Sequence, residues 1–298
     1  MEISNTENPF KLLDQVQKTG ELCPRHNVPL IRLPGKAAFC PQCQKEKIAE
    51  RERRVVVSAE NFWQRRKTTD VLQRDSIFDD PDLKNASFQG FETTQKEAKK
   101  NWITARKIAY QYIDTLAYKK EQEAVRQKQK DNGEKVQPMD NSRTFNTLFT
   151  GLPGRGKSHL ALSILKAVND NAEQPVSCLF ISVNELMRLI KDSFNYPDSK
   201  YTEQNMVDLL GRVDLLVLDD LGSESSFKRD SREATEFVQN VLFGVLNRRN
   251  CTIVTTNLNS TEMSTVYNPK LLSRMYKGIK GHIITFTDAT SDRRSVEF

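Results

Sequence analysis

The chain has 298 residues, of which 37% are hydrophobic and 28% charged, a balance typical of a soluble protein with one α/β domain and a smaller module. Its net charge of +6 suits a phosphate-rich partner without identifying one. No run approaches the ~18 apolar residues of a membrane-spanning helix, and the polar N-terminus lacks the apolar centre of a secretory signal. We therefore expect a cytoplasmic protein, in a bacterial or a phage-infected cell.

Potential metal ligands are concentrated near the N-terminus. The pattern Cys-Pro-Arg-His is followed, after thirteen residues, by Cys-Pro-Gln-Cys, and it offers the ligands Cys23, His26, Cys40 and Cys43. Two residues separate the members of each pair, so that one tight turn can present both side chains to one ion. Four nitrogen and sulfur ligands predict a closed, tetrahedral, structural Zn²⁺ site. Five cysteines, an odd number, in a chain without an export signal argue against disulfides.

Composition divides the chain into three regions: a zinc-binding module (1–44), a charged helical linker (45–84) and an α/β domain (85–298). In the last region, short apolar, β-branched runs alternate with helical patterns. The predicted strands are 144–150, 177–183, 214–220, 251–256 and 282–287. The predicted helices are 157–170, 184–193, 231–249 and 268–276. This alternation favours a largely parallel sheet covered on both faces.

One charged segment interrupts the α/β pattern. Residues 118–142 carry almost no large apolar side chains after Tyr118. We predict the solvated end of a helix that begins near Lys96, followed by a flexible loop. The simplest interpretation is a surface insertion without a function.

A phosphate-binding loop follows the first predicted strand. The sequence GLPGRGKS at 151–158 matches the Walker A pattern, and a helical pattern comes directly after it. The glycines allow successive N–H groups to point at phosphate oxygens, while Lys157 reaches the β- and γ-phosphates. Ser158 supplies a hydroxyl to Mg²⁺. The predicted nucleotide-binding residues are Gly151, Leu152, Pro153, Gly154, Arg155, Gly156, Lys157, Ser158, His159 and Asp219.

The strand 214–220 ends in two carboxylates, as in a Walker B motif. We expect Asp219 to lie beside Ser158 and to orient the Mg²⁺ hydration shell, with Asp220 as the general base that polarises the attacking water. Many hydrolysing relatives carry Glu at the position of Asp220, so the strength of hydrolysis stays open.

Two further residues are candidates for catalysis. Asn257 follows a buried strand and could hold the attacking water, although a helix cap or Asx turn is the alternative. Arg274 lies in a helical pattern and could complete a neighbouring subunit's site as an arginine finger, with an ordinary surface arginine as the alternative.

Besides these motifs, the chain contains ASFQGFETT (86–94), LLVLDDLGSE (215–224) and IVTTNLN (253–259). With this set of motifs, residues 85–298 resemble AAA+ ATPases. The likeness is to the DnaC/DnaI helicase-loader family, which is related to IstB-like ATPases. The resemblance implies a five-stranded parallel sheet of order 5-1-4-3-2 with ATP at its carboxyl edge. It also places Phe88 and Phe91 near the nucleotide base.

The length of the C-terminal part helps to distinguish subclasses of AAA+ ATPases. Only residues 275–298 follow Arg274, and they include the last strand, so we expect no helical lid domain. Either Arg293 or Arg294 could approach the nucleotide, and the sequence does not choose between them.

The resemblance implies an ATP-dependent loader that grips the replicative DNA helicase through its N-terminal region and delivers it onto single-stranded DNA during replication initiation. ATP, Mg²⁺ and Zn²⁺ would be the cofactors, hydrolysis would be slow, and subunits could assemble through the AAA+ interface. The alternatives are an IstB-like transposition ATPase and a nucleotide-binding adaptor with little turnover. The particular helicase, the stoichiometry and a cellular or viral origin stay open.

Overall fold

The computed structural model describes residues 16–196, 198–223 and 234–292. The chain divides into two compact units, Met1–Gln64 and Arg65–Phe298. Arg293, Arg294 and the first residues of the predicted helix 231–249 lie outside the described residues. Within the described part, no helix has the length and apolar character needed to cross a membrane.

The N-terminal unit contains a small antiparallel hairpin that sequence patterns did not indicate. Its strands are β1 (Gln17–Leu22) and β2 (Pro29–Arg32), and a helix, α1, begins at Pro41 and ends at Lys67. No residue of α1 is buried. Its large exposed apolar residues are Ile48, Val55, Val56, Val57, Phe62 and Trp63.

The second unit is built on a five-stranded parallel sheet. Its strands are β3 (Thr147–Gly151), β4 (Cys178–Ser182), β5 (Leu215–Leu221), β6 (Thr252–Thr256) and β7 (Ile283–Phe286). The spatial order is β7-β3-β6-β5-β4, which is 5-1-4-3-2 when these strands are numbered along the chain. The predicted fold class and strand order are therefore confirmed.

Helices surround this sheet, and a short 3-10 helix (Pro81–Asn85) precedes the longest of them. They are α2 (Val71–Asp75), α3 (Lys96–Asp131), α4 (Lys157–Asn171), α5 (Val183–Ser193), α6 (Glu203–Arg212), α7 (Glu236–Leu246), α8 (Ser260–Val266) and α9 (Pro269–Met275). Between Met275 and Asp292 the described chain contains β7 and no helix.

Both faces of the sheet are buried, which explains the nearly continuous apolar strands. Leu216 and Leu218 of β5 belong to one core cluster, which is covered by α5, α6, α7 and α9. Leu215 and Val217 of the same strand belong to the other cluster, covered by α3 and α4. Side chains that alternate between two covered faces fix the strand register. The strands are held so that their carboxyl ends share one edge.

Candidate functional site

The phosphate-binding loop joins the carboxyl end of β3 to the start of α4. Gly151, Gly154 and Gly156 have φ values of 123°, 72° and 98°, which residues with a Cβ rarely adopt. A Cβ on Gly151 would also lie 1.9 Å from the carbonyl oxygen of Phe286. These glycine conformations turn the chain into α4, which begins at Lys157. The N–H groups of the first turn of a helix are suited to bind an anion.

Lys157 is buried and held inside this loop. Its ammonium donates to the carbonyl oxygens of Gly151 (2.8 Å) and Leu152 (2.7 Å). A third donation, of 2.7 Å, goes to Oδ1 of Asn257. A partly desolvated ammonium at the loop is a strong counter-charge for phosphate.

A β-bulge places the two acidic residues at the end of β5. Leu218 pairs with Val254 and Leu221 with Thr256, so Asp219 and Asp220 lie opposite a single residue, Thr255. The Thr255 hydroxyl donates to Oδ1 of Asp219 (2.6 Å) and accepts from the backbone N–H of Asp220 (2.9 Å). Asp220 has φ of 55°, which aspartate tolerates better than most residues. Sequence patterns did not identify Thr255, because its role depends on pairing with β5.

The carboxyl group of Asp219 is buried beside the phosphate-binding loop. Burial raises its pKa to about 6, although hydrogen bonds from the hydroxyls of Thr255 and Ser158 oppose the shift. A carboxylate and a hydroxyl are oxygen ligands that suit Mg²⁺. The structure thus brings together the two residues that the sequence predicts as magnesium ligands.

Asn257 connects the lysine to the second aspartate. Its Oδ1 accepts from Lys157, and its Nδ2 donates to Oδ1 of Asp220 at 2.9 Å. The helix cap considered as an alternative belongs to Asn259, which forms a capping box with Glu262 at the start of α8. Asn257 is thus free of the capping role and lies between Lys157 and Asp220.

Arg274 does not lie near the phosphate-binding loop of its own chain. Its carbonyl oxygen accepts from Nδ2 of Asn146 (2.9 Å), and its Nε donates to Asn247 (3.2 Å). Asn146 precedes β3, so the loop lies at the far end of that strand, roughly 16 Å away at ~3.3 Å per residue. The side chain of Arg274 is exposed. Because Arg274 lies far from the loop of its own chain, a role in catalysis would require the loop of a second subunit.

The segment upstream of α3 docks next to the Walker A residues. The ring of Phe91 lies edge-on to the ring of His159, with centroids 5.4 Å apart. Nε2 of His159 lies 2.8 Å from the carbonyl oxygen of Ser87. Phe88 packs instead against Trp102, at 6.4 Å between centroids. Of the two aromatic residues expected near the base, Phe91 is the one beside the loop.

The residues after β7 also meet this loop. Glu97 accepts hydrogen bonds from the hydroxyls of Thr287 and Thr290 and from the backbone N–H of Thr287. Burial acts to raise the pKa of Glu97, but these bonds and the charge of Arg155 bring it below its usual value. Arg155 in turn donates to the carbonyl oxygen of Thr290. The 287–292 segment is thereby held beside the Walker A loop.

Asp292 ends this described segment. A Cβ placed on Gly154 would lie 2.0 Å from Oδ1 of Asp292, so a carboxylate lies directly against the phosphate-binding loop. A side chain at position 154 would displace this carboxylate and would also be strained at φ of 72°. The sequence gives no local sign of this contact, because the two residues are far apart along the chain.

The N-terminal unit gathers the four predicted metal ligands. One ligand atom from each of Cys23, His26, Cys40 and Cys43 lies within 4.8 Å of the others. The Sγ atoms of Cys23 and Cys43 are 3.8 Å apart, and Nδ1 of His26 lies 3.3–3.8 Å from the three sulfurs. Tetrahedral bonds of about 2.3 Å to sulfur and 2.0 Å to nitrogen imply edges of roughly 3.5–3.8 Å, so the set fits Zn²⁺.

Two local features prepare His26 and Cys23 for a metal ion, whereas burial raises the pKa of the Cys43 thiol to about 11. Nε2 of His26 lies 2.9 Å from Oε1 of Glu46, which fixes the ring with Nδ1 toward the cysteines. Backbone hydrogen bonds, first from Arg25 and then from His26, lower the pKa of the Cys23 thiol to about 6. A thiolate is the form that zinc binds.

A parallel sheet with a glycine-rich loop, a buried lysine and a paired hydroxyl and carboxylate defines a P-loop nucleotide-binding protein. The family model of the IstB-like ATP binding protein matches residues 101–281, more than half of the chain. The chain belongs to this family of ATP-binding proteins.

The chain is also similar to replicative helicase loaders. It is 30% identical over 135 residues to the replicative helicase loader DnaC of Escherichia coli (strain K12), which is 44% of this chain and 50% of that protein. It is 28% identical over 138 residues to DnaC of Buchnera aphidicola subsp. Baizongia pistaciae, 46% of this chain and 53% of the relative. The chain thus spans about half the length of these relatives. The crystal structure of the DnaC helicase loader aligns with 70% of this chain and 99% of that one, at 16% identity and a TM-score of 0.48.

Proposed function

We propose that the protein is an ATP-dependent loader that binds a replicative DNA helicase and delivers it onto single-stranded DNA. The observation that carries the proposal is the 30% identity to the helicase loader DnaC, which extends over 135 residues. The protein would act in the cytoplasm of a bacterial or phage-infected cell.

Hydrolysis would proceed at the carboxyl edge of the sheet. Lys157 and the N–H groups of the loop bind the phosphates, and Asp220 accepts a proton from the water that attacks the γ-phosphate. Asn257, which contacts Lys157 and Asp220, positions that water. Ser158 and Asp219 would hold Mg²⁺, which neutralises developing charge on the phosphates. The products are ADP and inorganic phosphate.

A second subunit would complete this site. Arg274 is exposed and remote from its own loop, as expected of a residue that acts on a neighbour's γ-phosphate. Mixing Arg274→Ala with Asp220→Asn tests this, because a mixed assembly forms some interfaces with both wild-type groups. Activity above that of either variant alone is expected, and no recovery at any ratio would contradict action in trans.

We propose three regions for this function: a zinc module at 1–44, a linker at 45–84 that contacts the helicase, and the AAA+ domain at 85–298. The support is α1, a long helix with several large apolar residues and no buried side chain. Contiguous exposed apolar residues mark interaction sites. The charged remainder of α1 favours a reversible complex.

The test is a pull-down of candidate replicative helicases with the full chain and with a chain that begins at Arg65. A cut there retains Val71 and Ile77, which belong to the core of the α/β unit. The shorter chain should bind ATP as well as the full chain and lose the helicase. Undiminished helicase binding by the shorter chain would contradict the division of labour.

The family match favours one further candidate, a transposition ATPase of the IstB type. Its support is the IstB-like model itself, which covers the ATP-binding domain. If no replicative helicase is retained in the pull-down while a transposase is, this alternative replaces the loader.

A further inference from the structure

A pocket of about 440 Å³ lies at the amino edge of the sheet, opposite to the phosphate-binding loop. Lys119 of α3 lines the pocket. The next residue, Lys120, pairs at 2.9 Å with Asp214, which directly precedes β5 and so marks the amino edge of the sheet. Asn250, just before β6, forms part of the wall. The nucleotide site therefore lies a strand length away and shares none of its residues.

The pocket is strongly basic. Its lining residues are Lys119, Glu123, Arg126, Gln127, Lys130, Met139, Asn141, Arg248 and Asn250. Four of these are cationic and one is acidic. Arg248 is paired with Asp208, and the ammonium of Lys119 lies 3.9 Å from Oδ1 of Asp214. No ion pair involves Arg126 or Lys130 within the described residues. Two of the cations are thus available for an anion.

The helix arranges these cations in a row. Lys119, Arg126 and Lys130 recur at helical spacing and lie on one face of α3. They span roughly 16 Å of the helix axis at ~1.5 Å per residue. A nucleic-acid strand carries a charge about every 3.4 Å, so the row can meet several consecutive phosphates.

The opposite wall is held in place by hydrogen bonds. The amide side chain of Gln122 donates to the carbonyl oxygen of Asp140 (3.1 Å) and accepts from its N–H (2.7 Å). The Tyr118 hydroxyl donates to Oδ2 of the same aspartate (2.9 Å). These contacts fold residues after α3 back along the helix and present Met139 and Asn141 to the pocket. The segment predicted to be a flexible loop thus forms one wall of this pocket.

We propose that this pocket binds the sugar-phosphate backbone of single-stranded DNA. Lysine, arginine and amide side chains are the usual partners of phosphate oxygens. Among the described residues, no aromatic side chain lines the pocket, so bases would not stack there and binding would be independent of sequence. The inference deepens the proposed function and rests on it for the identity of the strand.

The test compares two double variants with the same change in charge. Arg126→Glu with Lys130→Glu alters the pocket, whereas Lys128→Glu with Lys135→Glu alters exposed residues of the same helix and loop that do not line it. Affinity for a fluorescein-labelled (dT)20 strand is measured by anisotropy over a range of salt concentrations. Unfolding curves and ATP affinity confirm that each variant is intact.

We expect the pocket variant to lose about tenfold or more in affinity and its salt slope to fall by about 1.4, at ~0.7 for each phosphate of a single strand. The control should stay within about threefold of the wild type. Equal losses in both variants, no loss in the pocket variant, or equal affinity for duplex DNA would overturn the proposal. If the wild-type chain binds no strand at all, the DNA step of the loader function fails with it. A negative helicase pull-down with an intact pocket effect would reject the loader alone.

Discussion

At the scale of single residues, two buried aspartates at the ends of β5 have opposite environments. Burial raises the pKa of Asp219 to about 6, above its usual 3.8. Burial also acts on Asp214, but Lys120 and the Ser177 N–H more than offset it and hold the pKa of that carboxyl below its usual value. The ionised form is therefore disfavoured at the nucleotide edge and favoured at the other edge.

This difference predicts opposite effects of removing each charge. The folded state protonates Asp219 between pH 3.8 and about 6, where the unfolded chain does not, so stability falls as pH rises through that window. Above this pH window, the ionised Asp219 carboxylate lowers the free energy of unfolding by about 3 kcal/mol, at 1.36 kcal/mol per pKa unit. Asp219→Asn should stabilise the nucleotide-free protein at pH 7.5 by up to this amount, and the gain should vanish near pH 4.

The control is Asp214→Asn, which should destabilise the protein at pH 7.5. The stabilisation from Asp214 is present above the pKa of the unfolded chain and is lost as pH falls through the lower folded pKa. Urea unfolding at a series of pH values measures both variants. A lower stability of Asp219→Asn at pH 7.5 without nucleotide would contradict the buried, high-pKa carboxylate.

A second prediction concerns Asp220, whose left-handed backbone restricts the choice of variant. Alanine would add strain at φ of 55°, whereas asparagine tolerates this conformation. Asp220→Asn should slow ATP hydrolysis by roughly 100-fold or more, because a general base is removed, and leave ATP affinity within a few-fold. Single-turnover hydrolysis and equilibrium binding of ATP measure the two effects. Unchanged hydrolysis would leave Asp220 with a structural role.

At the scale of elements, Arg249 joins α6, β5 and β6 from inside the core. Its guanidinium donates to the carbonyl oxygens of Leu210 (2.6 Å), Val213 (2.6 Å) and Cys251 (2.8 Å). Burial lowers its pKa to about 10, so it remains charged at neutral pH. The connections that precede β5 and β6 are fixed by one side chain.

Arg249→Met should therefore destabilise the α/β unit by about 3 kcal/mol or more, because three buried carbonyl groups lose their donor. Arg248→Met is the matched control, since Arg248 is exposed and pairs only at the surface with Asp208. That change should cost less than about 1 kcal/mol. Midpoints of urea unfolding give both values, and equal losses would mean that the buried hydrogen bonds contribute little.

Local signals accounted for the elements that carry the nucleotide site. The glycine pattern and the apolar runs located β3, α4 and β5, because backbone conformation and burial there depend on nearby residues. The resemblance supplied the strand order. The helices α6 and α8 were missed, although Thr202 and Asn259 cap them. The bulge that brings Thr255 to Asp219 was also missed, since it arises from strand pairing.

At the scale of the whole molecule, the four candidate metal ligands and the nucleotide site lie in separate compact units. The N-terminal unit has few buried residues, so zinc should supply much of its folding energy, while the α/β unit has its own two-sided core. Cys40→Ser should remove the zinc and expose the β1–β2 hairpin to protease, with ATP affinity unchanged. Gln42→Ser, in the same turn but not a ligand, should do neither.

Metal analysis, limited proteolysis and ATP titration measure this pair of variants. About one zinc per wild-type chain and none in Cys40→Ser is expected. Retention of zinc by Cys40→Ser would reject the four-ligand site, and a loss of ATP affinity would show that the two units are coupled.

The position of residues 287–292 offers a practical route to observing nucleotide exchange. Ser291 is exposed, and its backbone N–H donates to Oε1 of Gln95 (2.8 Å). The segment that carries Ser291 lies beside the phosphate-binding loop. The native thiols are either gathered in the cluster of candidate metal ligands or buried in the core, as Cys178 and Cys251 are. A cysteine at this position would thus accept a fluorescent dye selectively, and its emission would report in real time when the loop fills and empties.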